Sequence, residues 1–416
     1  MTTAVEVLRQ PAVRRYLAST ALASLGRNIL LTVLFKQVFD ITGNELDIAW
    51  IGLAQFLPAV ALVLVSGWTA DRFDRRHVVA CSLLLRASCG GAFVAYSVWS
   101  PEVVWPLFAL AALYGAGDAL LAPARRAMAP LIVPTVDFPR VTALWTATAT
   151  GAGIIGPVLG GFLYSIGPAN AYALAATLEF VAILPTLAIV FVRAQGRLTE
   201  RPTLHAALDG LRFVRRTPIV LAIISLDLFA VLFGGAIALI PAVASDRLGV
   251  GDVAYGFLRA APGIGAATMA LVLAVHPVRR RVGPTLLVVV AVFGASMMLF
   301  GITTSFAVAF LALVVSAMAD MVSMFIRGTI LPLVTPDEQL GRVSAVEGVF
   351  IGASNELGAF ESGVTARAFG LPVSIAGGGF ITLVVASSFA VLFPALRRVD
   401  TFDELSPQQQ PATRPG

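Results

Sequence analysis

Acidic and basic residues occur singly inside long apolar stretches of this chain, where a charge is costly and is usually kept for function. Asp118 and Arg125 lie seven residues apart, and Asp320 and Arg327 repeat this spacing 202 positions later. On a helix, a spacing of seven places two side chains on one face, about 10 Å apart. A carboxylate in such a position can carry a proton or form a structural ion pair, and we leave both roles open for Asp118.

A second group of acids lies in one apolar stretch near the end of the chain. Glu347 and Glu361 share a helical face to within about 40°, whereas Glu356 lies opposite Glu347. The three acids therefore cannot line one cavity surface together. Glu356 lies beside Asn355 near the middle of the stretch, which makes it the best proton-carrier candidate of the three. A hydrogen-bonded packing role for Glu356 is an equal alternative.

The elements that position these charges are predicted to be membrane-spanning helices. Of the 416 residues, 58% are hydrophobic and 13% are charged, whereas a soluble domain carries about 25% charged residues. Most of the surface must therefore face hydrocarbon. A spanning helix needs roughly 20 apolar residues. We predict an all-α membrane protein with twelve spans: 16–39, 48–70, 77–98, 103–125, 141–166, 170–193, 218–244, 254–275, 284–303, 305–333, 342–366 and 371–396.

Arginine is distributed unequally between the predicted loops. If the N terminus is cytoplasmic, 22 arginines fall in cytoplasmic loops, their helix ends and the termini, and two fall in outer loops. Cytoplasmic loops carry an excess of Lys and Arg, so both termini are predicted to be cytoplasmic. The first apolar stretch is too long for a cleavable signal and is predicted to be the first span.

The second half of the sequence repeats the first half in parallel. The segment "ALYGAGDALLAPARRAMAPLIVP" aligns with "VVSAMADMVSMFIRGTILPLVTP" at an offset of 202, with one Asp, one Arg and two Pro in register. We therefore predict an N-terminal six-helix half at 1–193, a cytoplasmic linker at 194–217, a C-terminal six-helix half at 218–398 and a disordered cytoplasmic tail at 399–416.

The segment "GWTADRFDRR", between the second and third predicted helices, resembles the loop signature of the major facilitator superfamily. Asp74 stands where the family pattern has Gly. The resemblance implies a cytoplasmic gate, in which Asp71 attracts the positive end of a helix from the other half, with Arg125 as a further member. A purely topological anchor explains the arginines but not Gly67 or Asp71. The matching positions are Gly67, Asp71, Arg72, Arg75 and Arg76.

The segment "TATGAGIIGPVLGG" of the fifth predicted helix resembles the antiporter motif found in exporters of the same superfamily. Its glycines leave one side of the helix almost without side chains, and its proline permits a bend. Ala152 replaces one expected glycine. The resemblance implies export rather than import, and ordinary small-residue helix packing is the alternative. The motif residues are Gly153, Gly156, Pro157, Gly160 and Gly161.

The superfamily resemblance also bears on charges in other helices. In that superfamily the first and seventh helices face one central cavity, which implies a pair between Arg27 and Asp227 that opens on protonation. The third and sixth helices lie at the periphery, so Arg86 and Glu179 are expected to pair or to reach towards the interface rather than to bind substrate.

Several other classes of function are not supported by the sequence. Lys36 is the sole lysine and no Gly-rich Lys loop surrounds it, so the chain cannot pump with ATP on its own. Cys81 and Cys89 lack zinc-site spacing, and no catalytic motif is present. We expect no cofactor, no metal and no enzymatic activity. We expect a monomer whose partners are a small molecule, protons and membrane lipids, without nucleic acid.

The superfamily resemblance implies a proton-coupled exporter of a small amphipathic molecule, such as a drug or a siderophore, in the bacterial cytoplasmic membrane. The segments "IGLAQFLPAV", "ADRFDRR", "GPVLGG" and "LGRVSAVEG" are similar to the bacterial efflux branch that includes the enterobactin exporter and drug–proton antiporters. The resemblance implies transport by alternating access. The alternatives are an importer or lipid flippase and, with less support, a non-transporting membrane enzyme or receptor. Embedded acids outnumber embedded cations by seven to five, which slightly favours protons or cationic substrates.

Overall fold

The computed structural model describes residues 4–99, 103–191 and 204–405, and every regular element in these ranges is helical. Eleven of the described stretches are long and apolar enough to cross a membrane. So many apolar helices would be unstable with their surfaces exposed to water. The protein is therefore a multi-pass membrane protein.

The first part of the chain contains six long helices joined by short connections. A short helix, Ala4–Arg9, precedes them, and the turns Ala129–Leu131 and Thr135–Asp137 join the fourth helix to the fifth. The long helices are α1 (Pro11–Thr42), α2 (Glu45–Arg72), α3 (Arg75–Trp99), α4 (Trp105–Met128), α5 (Phe138–Ile166) and α6 (Pro168–Val181, continued by Ile183–Leu187).

The second part of the chain contains six further long helices. The amphipathic helix Leu204–Arg216 precedes them, within the segment predicted to be a linker, and Pro394–Arg398 and Phe402–Leu405 follow them. The long helices are α7 (Pro218–Gly234), α8 (Asp252–Val275), α9 (Val282–Ile302), α10 (Phe306–Val334), α11 (Asp337–Phe369) and α12 (Leu371–Leu392).

Eleven of the twelve predicted spans overlap with the apolar stretches of the structure. The exception is the predicted span 342–366, which lies inside α11 and contains the three acids at 347, 356 and 361. At 33 residues, α11 exceeds the roughly 20 residues that a bilayer requires, but it is more polar than its neighbours. A twelfth crossing and the cytoplasmic position of both termini stay predictions.

The predicted continuous span 218–244 is interrupted in the structure. α7 ends at Gly234, and irregular helical turns continue the chain from Ala236 to Arg247, including the π-helix Val243–Arg247. Two consecutive glycines lower the helix propensity at this point. A Cβ atom on Gly234 would lie 2.6 Å from the Phe293 ring, so close packing also requires a glycine there.

The chain forms two compact units. The first comprises Met1–Pro202 with Ala238–Gly263, and the second comprises Thr203–Ile237 with Ile264–Gly416. By its contacts, the segment 238–263 therefore belongs to the first unit. The predicted boundaries of two six-helix halves stay predictions, as does the disorder predicted for the tail. Residues 192–203 and 406–416 lie outside the described part of the chain.

Glycines allow the helices of each unit to approach closely, as is usual in membrane proteins. In the first unit, a Cβ atom on Gly115 of α4 would lie 2.8 Å from the Cα atom of Gln55 in α2. In the second unit, a Cβ atom on Gly294 of α9 would lie 2.7 Å from the carbonyl oxygen of Gly379 in α12. The first of these contacts holds α4, which carries Asp118, against α2.

Candidate functional site

Four charged side chains form a connected series through the first unit, which we call the charge ladder: Glu179 of α6, Arg86 of α3, Asp118 of α4 and Arg27 of α1. Arg86 donates hydrogen bonds to Glu179 and, at 2.9 Å, to Asp118 Oδ1. Arg27 Nε donates to the other oxygen, Asp118 Oδ2, at 3.0 Å. The Tyr114 hydroxyl accepts from Arg86 at 2.6 Å and donates to Glu179 at 2.5 Å. The ladder thus joins four helices.

Side-chain exposure rises along the ladder from Glu179 to Arg27. The side chains of Glu179 and Arg86 are 0% and 1% exposed, whereas those of Asp118 and Arg27 are 30% and 40% exposed. The inner pair is therefore part of the unit's core, where buried charges must be paired to be tolerated. The outer pair is accessible from outside the unit.

Glycines next to the ladder residues create the space that the ladder occupies. A Cβ atom on Gly26 would lie 2.8 Å from the Ala175 carbonyl oxygen and 2.9 Å from Glu179 Cγ. A Cβ atom on Gly117 would lie 2.9 Å from Arg86 Cγ. The chain therefore places a glycine directly before both Arg27 and Asp118, so that each charged side chain lies beside a close helix contact.

The embedded charges of the second unit are arranged differently. Arg327 Nη2 lies 2.7 Å from Asp227 Oδ1, and both side chains are buried. Arg327 Nε also donates to Ser323 Oγ at 3.2 Å. Asp320 lines a small pocket with Asp227, Ser323 and Phe293. Within residues 204–405, Asp320 makes neither a hydrogen bond nor an ion pair.

Arg27 and Asp227, the expected pair, each bind another residue in this structure, so their pairing stays a prediction. Arg27 binds Asp118, and Asp227 binds Arg327, because each has an opposite charge within its own unit. The expected pairing of Arg86 with Glu179 is present. Arg125, aligned with Arg327 in sequence, has a buried Nη2 without a hydrogen-bond partner among the described residues.

A polar cluster ties α1 to α5 and to the beginning of α8, and sequence reasoning did not assign it a role. We call Lys36, Asp40, Tyr164 and Asp252 the lysine cluster. Lys36 Nζ lies 2.5 Å from Asp40 Oδ1, 3.4 Å from Asp252 Oδ1 and 5.7 Å from the centre of the Tyr164 ring. The Tyr164 hydroxyl donates to Asp40 Oδ2 at 2.7 Å. The signal in the sequence was the sole lysine of the chain inside an apolar stretch.

The glycine-rich motif of α5 lies directly beside this cluster. A Cβ atom on Gly156 would lie 2.5 Å from Asn28 Cβ of α1, and one on Gly160 would lie 3.2 Å from Thr32 Cβ. The first half of the motif face therefore packs against α1 without intervening side chains.

The end of the motif packs against α8. A Cβ atom on Gly161 would lie 2.8 Å from the Cα atom of Gly256, and one on Gly256 would lie 2.7 Å from the Pro157 carbonyl oxygen. The Gly153 carbonyl oxygen lies 3.3 Å from the Cβ position of Gly263. Four of the five motif residues thus support close helix contacts. The fifth, Gly153, contacts α8 through its backbone carbonyl group.

The arginines of the loop motif bind backbone carbonyls at helix ends. Arg75 Nη1 donates to the Ala127 carbonyl oxygen at 2.9 Å, and Arg76 Nη1 donates to the Ile189 carbonyl oxygen at 3.0 Å. Cations are favoured at helix C-termini, where carbonyl groups lack partners. These contacts attach the loop to the ends of α4 and α6.

Asp74, which departs from the family pattern, has a defined role in the same loop. Its Oδ1 accepts a hydrogen bond from the Arg76 backbone N–H at 2.9 Å, and its carboxylate also binds the Arg76 side chain. Asp74 is therefore the N-cap of α3. Arg72 is exposed, whereas the surroundings of Gly67 and of the Asp71 side chain lie outside the described set, so a gate role for Asp71 stays a prediction.

Glu347, Glu356 and Glu361 of α11 are half-buried, and Asn355 donates to the Ile351 carbonyl oxygen of its own helix at 2.8 Å. Glu356 therefore stays a candidate proton carrier.

Comparison with known proteins decides the family. The sequence profile of the Major Facilitator Superfamily matches residues 16–359. The chain belongs to the major facilitator superfamily. The resemblance of the sequence to this superfamily is thereby confirmed, and the protein is a transporter of that superfamily.

The relatives of this superfamily member include exporters. The enterobactin exporter EntS of Salmonella typhi is 29% identical over 311 residues, which cover 71% of this chain and 72% of the relative. Macrolide efflux protein A of Streptococcus pyogenes is 24% identical over 179 residues, covering 43% of this chain and 44% of the relative.

Solved structures of the superfamily share the fold at low sequence identity. The nucleoside transporter NupG is 14% identical, with a TM-score of 0.68 over 92% of this chain and 99% of that chain. A bacterial homologue of the human lysosomal transporter Spinster, in an inward-facing and unoccupied conformation, is 16% identical, with a TM-score of 0.68 over 94% of this chain and 96% of that chain. At these identities the likeness concerns the fold alone.

Proposed function

We propose that this superfamily member is a proton-coupled exporter of a small amphipathic molecule, acting by alternating access in the bacterial cytoplasmic membrane. The observation that carries the proposal is Asp320, a half-buried acid without a partner in the described part of the second unit, beside the buried Asp227–Arg327 pair. The energy source is the proton gradient, and the working unit is a monomer without a cofactor.

Asp320 is the acid best suited to exchange a proton. It is residue 15 of the 29 in α10, so it lies near the middle of an apolar helix. A carboxylate at that depth requires a compensating positive charge. Arg327 already binds Asp227 at 2.7 Å, so a proton is the compensating charge available to Asp320.

The lysine cluster and the glycine motif supply the moving contact of the transport cycle. Both join α1, α5 and the beginning of α8 at the ends that the arginine distribution assigns to the outside of the cell. Release of substrate to that side requires this contact to separate. The Gly161–Gly256 approach contains no side chains that interlock, which favours a contact that opens and recloses.

The direction of transport is inferred from two observations. The glycine-rich face of α5 matches the motif of superfamily exporters, and its packing against α8 accounts for the small residues in it. The relatives named above are an enterobactin exporter and a macrolide efflux protein. An importer or a lipid flippase on the same fold is the alternative.

The direction is tested in two steps with the full chain. Untargeted analysis of culture media, with and without the gene, identifies the compound whose extracellular amount depends on the protein. Everted membrane vesicles are then given that compound. We expect uptake into the vesicles that depends on an imposed proton gradient and stops with an uncoupler. Loss of preloaded compound from energised vesicles would instead show import.

A further inference from the structure

We propose that Arg27 binds an anionic group of the substrate, so that the transported molecule is an amphiphile carrying a carboxylate or a comparable oxyanion. The inference deepens the proposed function and rests on it, because it names the substrate class of the same transporter. Three observations support it: the order of charges in the ladder, the exposure of Arg27 and the Arg27 N–H donors that have no acceptor among the described residues.

The charges of the ladder alternate from the core outwards, and the accessible end is positive. Glu179 binds Arg86, Arg86 binds Asp118, and Asp118 binds Arg27. The Asp118 carboxylate accepts one hydrogen bond from each arginine, at 2.9 Å and 3.0 Å, so its charge is already compensated from two sides. A cation arriving at this position finds no uncompensated acid.

Arg27 retains most of its hydrogen-bonding capacity. A guanidinium has five N–H donors in a planar fork. In the described part of the chain, the hydrogen bonding of Arg27 is confined to its Nε–H, which donates to Asp118. The four Nη–H donors remain for a ligand, and two parallel donors suit the two oxygens of a carboxylate.

The exposed side of Arg27 faces water rather than lipid. Arg27 is residue 17 of the 32 in α1, and Asp118 is residue 14 of the 24 in α4, so both lie near the middle of their helices. A charged side chain at that depth faces a protein interior or a water-filled space. Since the Arg27 side chain is 40% exposed, the accessible guanidinium borders a space that a solute can enter.

The inner part of the ladder fixes the direction of the Arg27 fork. Arg86, Tyr114 and Glu179 are fully buried and bonded to one another, and they hold Asp118 through Arg86. Asp118 in turn orients Arg27 through a single bond at 3.0 Å. A site whose binding group is held by buried partners loses less entropy when it binds a ligand. Arg86 and Glu179 are thus positioning residues, and Arg27 is the binding residue.

The test uses three fluorescent probes that share one apolar group and differ in charge: pyrenebutyrate, pyrenebutanol and pyrenebutylamine. Their equilibrium binding is measured on the full chain in phosphatidylcholine nanodiscs, with empty nanodiscs subtracted. We expect the carboxylate probe to bind about tenfold more tightly than the alcohol probe, as one charge-assisted fork contact predicts. The amine probe should bind more weakly than the alcohol.

Three variants separate the site from a general charge effect. Arg27→Gln should remove the preference for the carboxylate and leave alcohol binding unchanged, and Arg27→Lys should retain part of it, because a lysine keeps the charge but lacks the fork. Asp118→Asn should tighten carboxylate binding, since it removes a competing negative charge. As a control, Arg126→Gln, at an exposed position on the same helix as Asp118, should behave as wild type. Thermal unfolding of each variant shows whether it is folded.

Two results would overturn the proposal. If folded Arg27→Gln and Arg27→Lys bind all three probes as the wild type does, the ladder is structural. If the amine probe is preferred and Asp118→Asn abolishes its binding, the position is a cation site. Binding requires no proton gradient, so a failure in this test leaves proton-coupled export standing. Equally, absence of proton-driven transport would refute export without affecting the binding result.

Discussion

Asp320 aligns in sequence with Asp118, but the two acids have different surroundings in the structure. Asp118 accepts hydrogen bonds from two arginines, whereas Asp320 lines a pocket and has no partner within residues 204–405. Arg27 and Arg86 bind Asp118, whereas Arg327 binds Asp227 rather than Asp320. We therefore assign the two aligned acids different functions, with Asp320 exchanging the proton.

Replacement of Asp320 by Asn is expected to uncouple transport from protons. The amide keeps the shape of the side chain but cannot exchange a proton. Reconstituted Asp320→Asn should therefore exchange labelled substrate across the membrane at a rate near that of wild type. It should fail to concentrate substrate against its gradient when a pH difference is imposed.

Asp403→Asn is the matched control, because Asp403 is an exposed aspartate after α12 and should leave coupling intact. Full proton-driven accumulation by Asp320→Asn would exclude Asp320 as the proton carrier and would direct attention to Glu356.

Replacement of Arg86 by Met is expected to destabilise the fold strongly. Arg86 is 1% exposed and binds both Glu179 and Asp118, so its loss leaves a fully buried carboxylate without a cation. Breaking a buried pair in this way costs about 3 kcal/mol or more. The thermal midpoint in detergent should fall clearly for Arg86→Met and little for Arg126→Met. Equal midpoints would show that the inner ladder does not stabilise the first unit.

Composition and spacing identified the charged residues but not their partners. The pair of Arg86 and Glu179 could be expected because both are isolated in apolar helices. The Arg27–Asp118 bond could not, because it depends on how α1 and α4 are rotated about their axes, which Gly26 and Gly117 help to fix. A count of seven acids against five cations does not describe the local charge, since several of these groups neutralise one another.

Among the helices, α5 has the sequence that its packing most directly explains. One of its faces approaches α1 at Gly156 and Gly160 and approaches α8 at Gly161. A side chain on that face would separate the helices. The element therefore acts as a close contact surface between two neighbours.

Replacement of Gly161 by Ala is expected to impair transport while the protein still folds. The added Cβ would lie 2.8 Å from the Gly256 Cα atom, so α5 and α8 must move apart. Proton-driven uptake into everted vesicles should fall several-fold, whereas Gly151→Ala should be near wild type, because no described atom beyond its chain neighbours and the nearby backbone of α5 lies within 4 Å of its Cβ position. Equal loss of uptake in both variants would show that the contact with α8 is not the reason for the glycine.

The existence of the helices was predictable, and their interruptions were not. Eleven apolar stretches could be recognised as helices by their length and hydrophobicity. The end of α7 at Gly234 and the helical turns after it were missed, because apolar composition does not distinguish a continuous helix from an interrupted one. The glycine pair at 234 and 235 was the available signal.

For the whole molecule, the proposed transport cycle requires the contact between α1, α5 and α8 to open and close. The lysine cluster contributes two ion pairs and a tyrosine hydrogen bond to that contact. We therefore expect the strength of the lysine cluster to influence the balance between the closed and open forms of this contact.

Replacement of Lys36 by Met is expected to shift this balance towards separation. It leaves Asp40 and Asp252 without their shared cation, so the two acids repel each other. Spin labels at positions 165 and 253, both exposed, report the separation of α5 from α8 by pulsed electron resonance in a variant whose two native cysteines are replaced. A larger population at long distance is expected for Lys36→Met. An unchanged distance distribution would show that the cluster does not control the contact.

Simultaneous measurement of both fluxes shows whether the protein exchanges substrate for protons. Purified protein is reconstituted into liposomes that contain a pH-sensitive dye, and the compound identified from culture media is added inside or outside. We predict that a substrate gradient alone drives proton movement in the opposite direction, and that a pH gradient drives substrate accumulation on the acidic side. Substrate movement without any proton flux, or movement of both in the same direction, would contradict proton-coupled export.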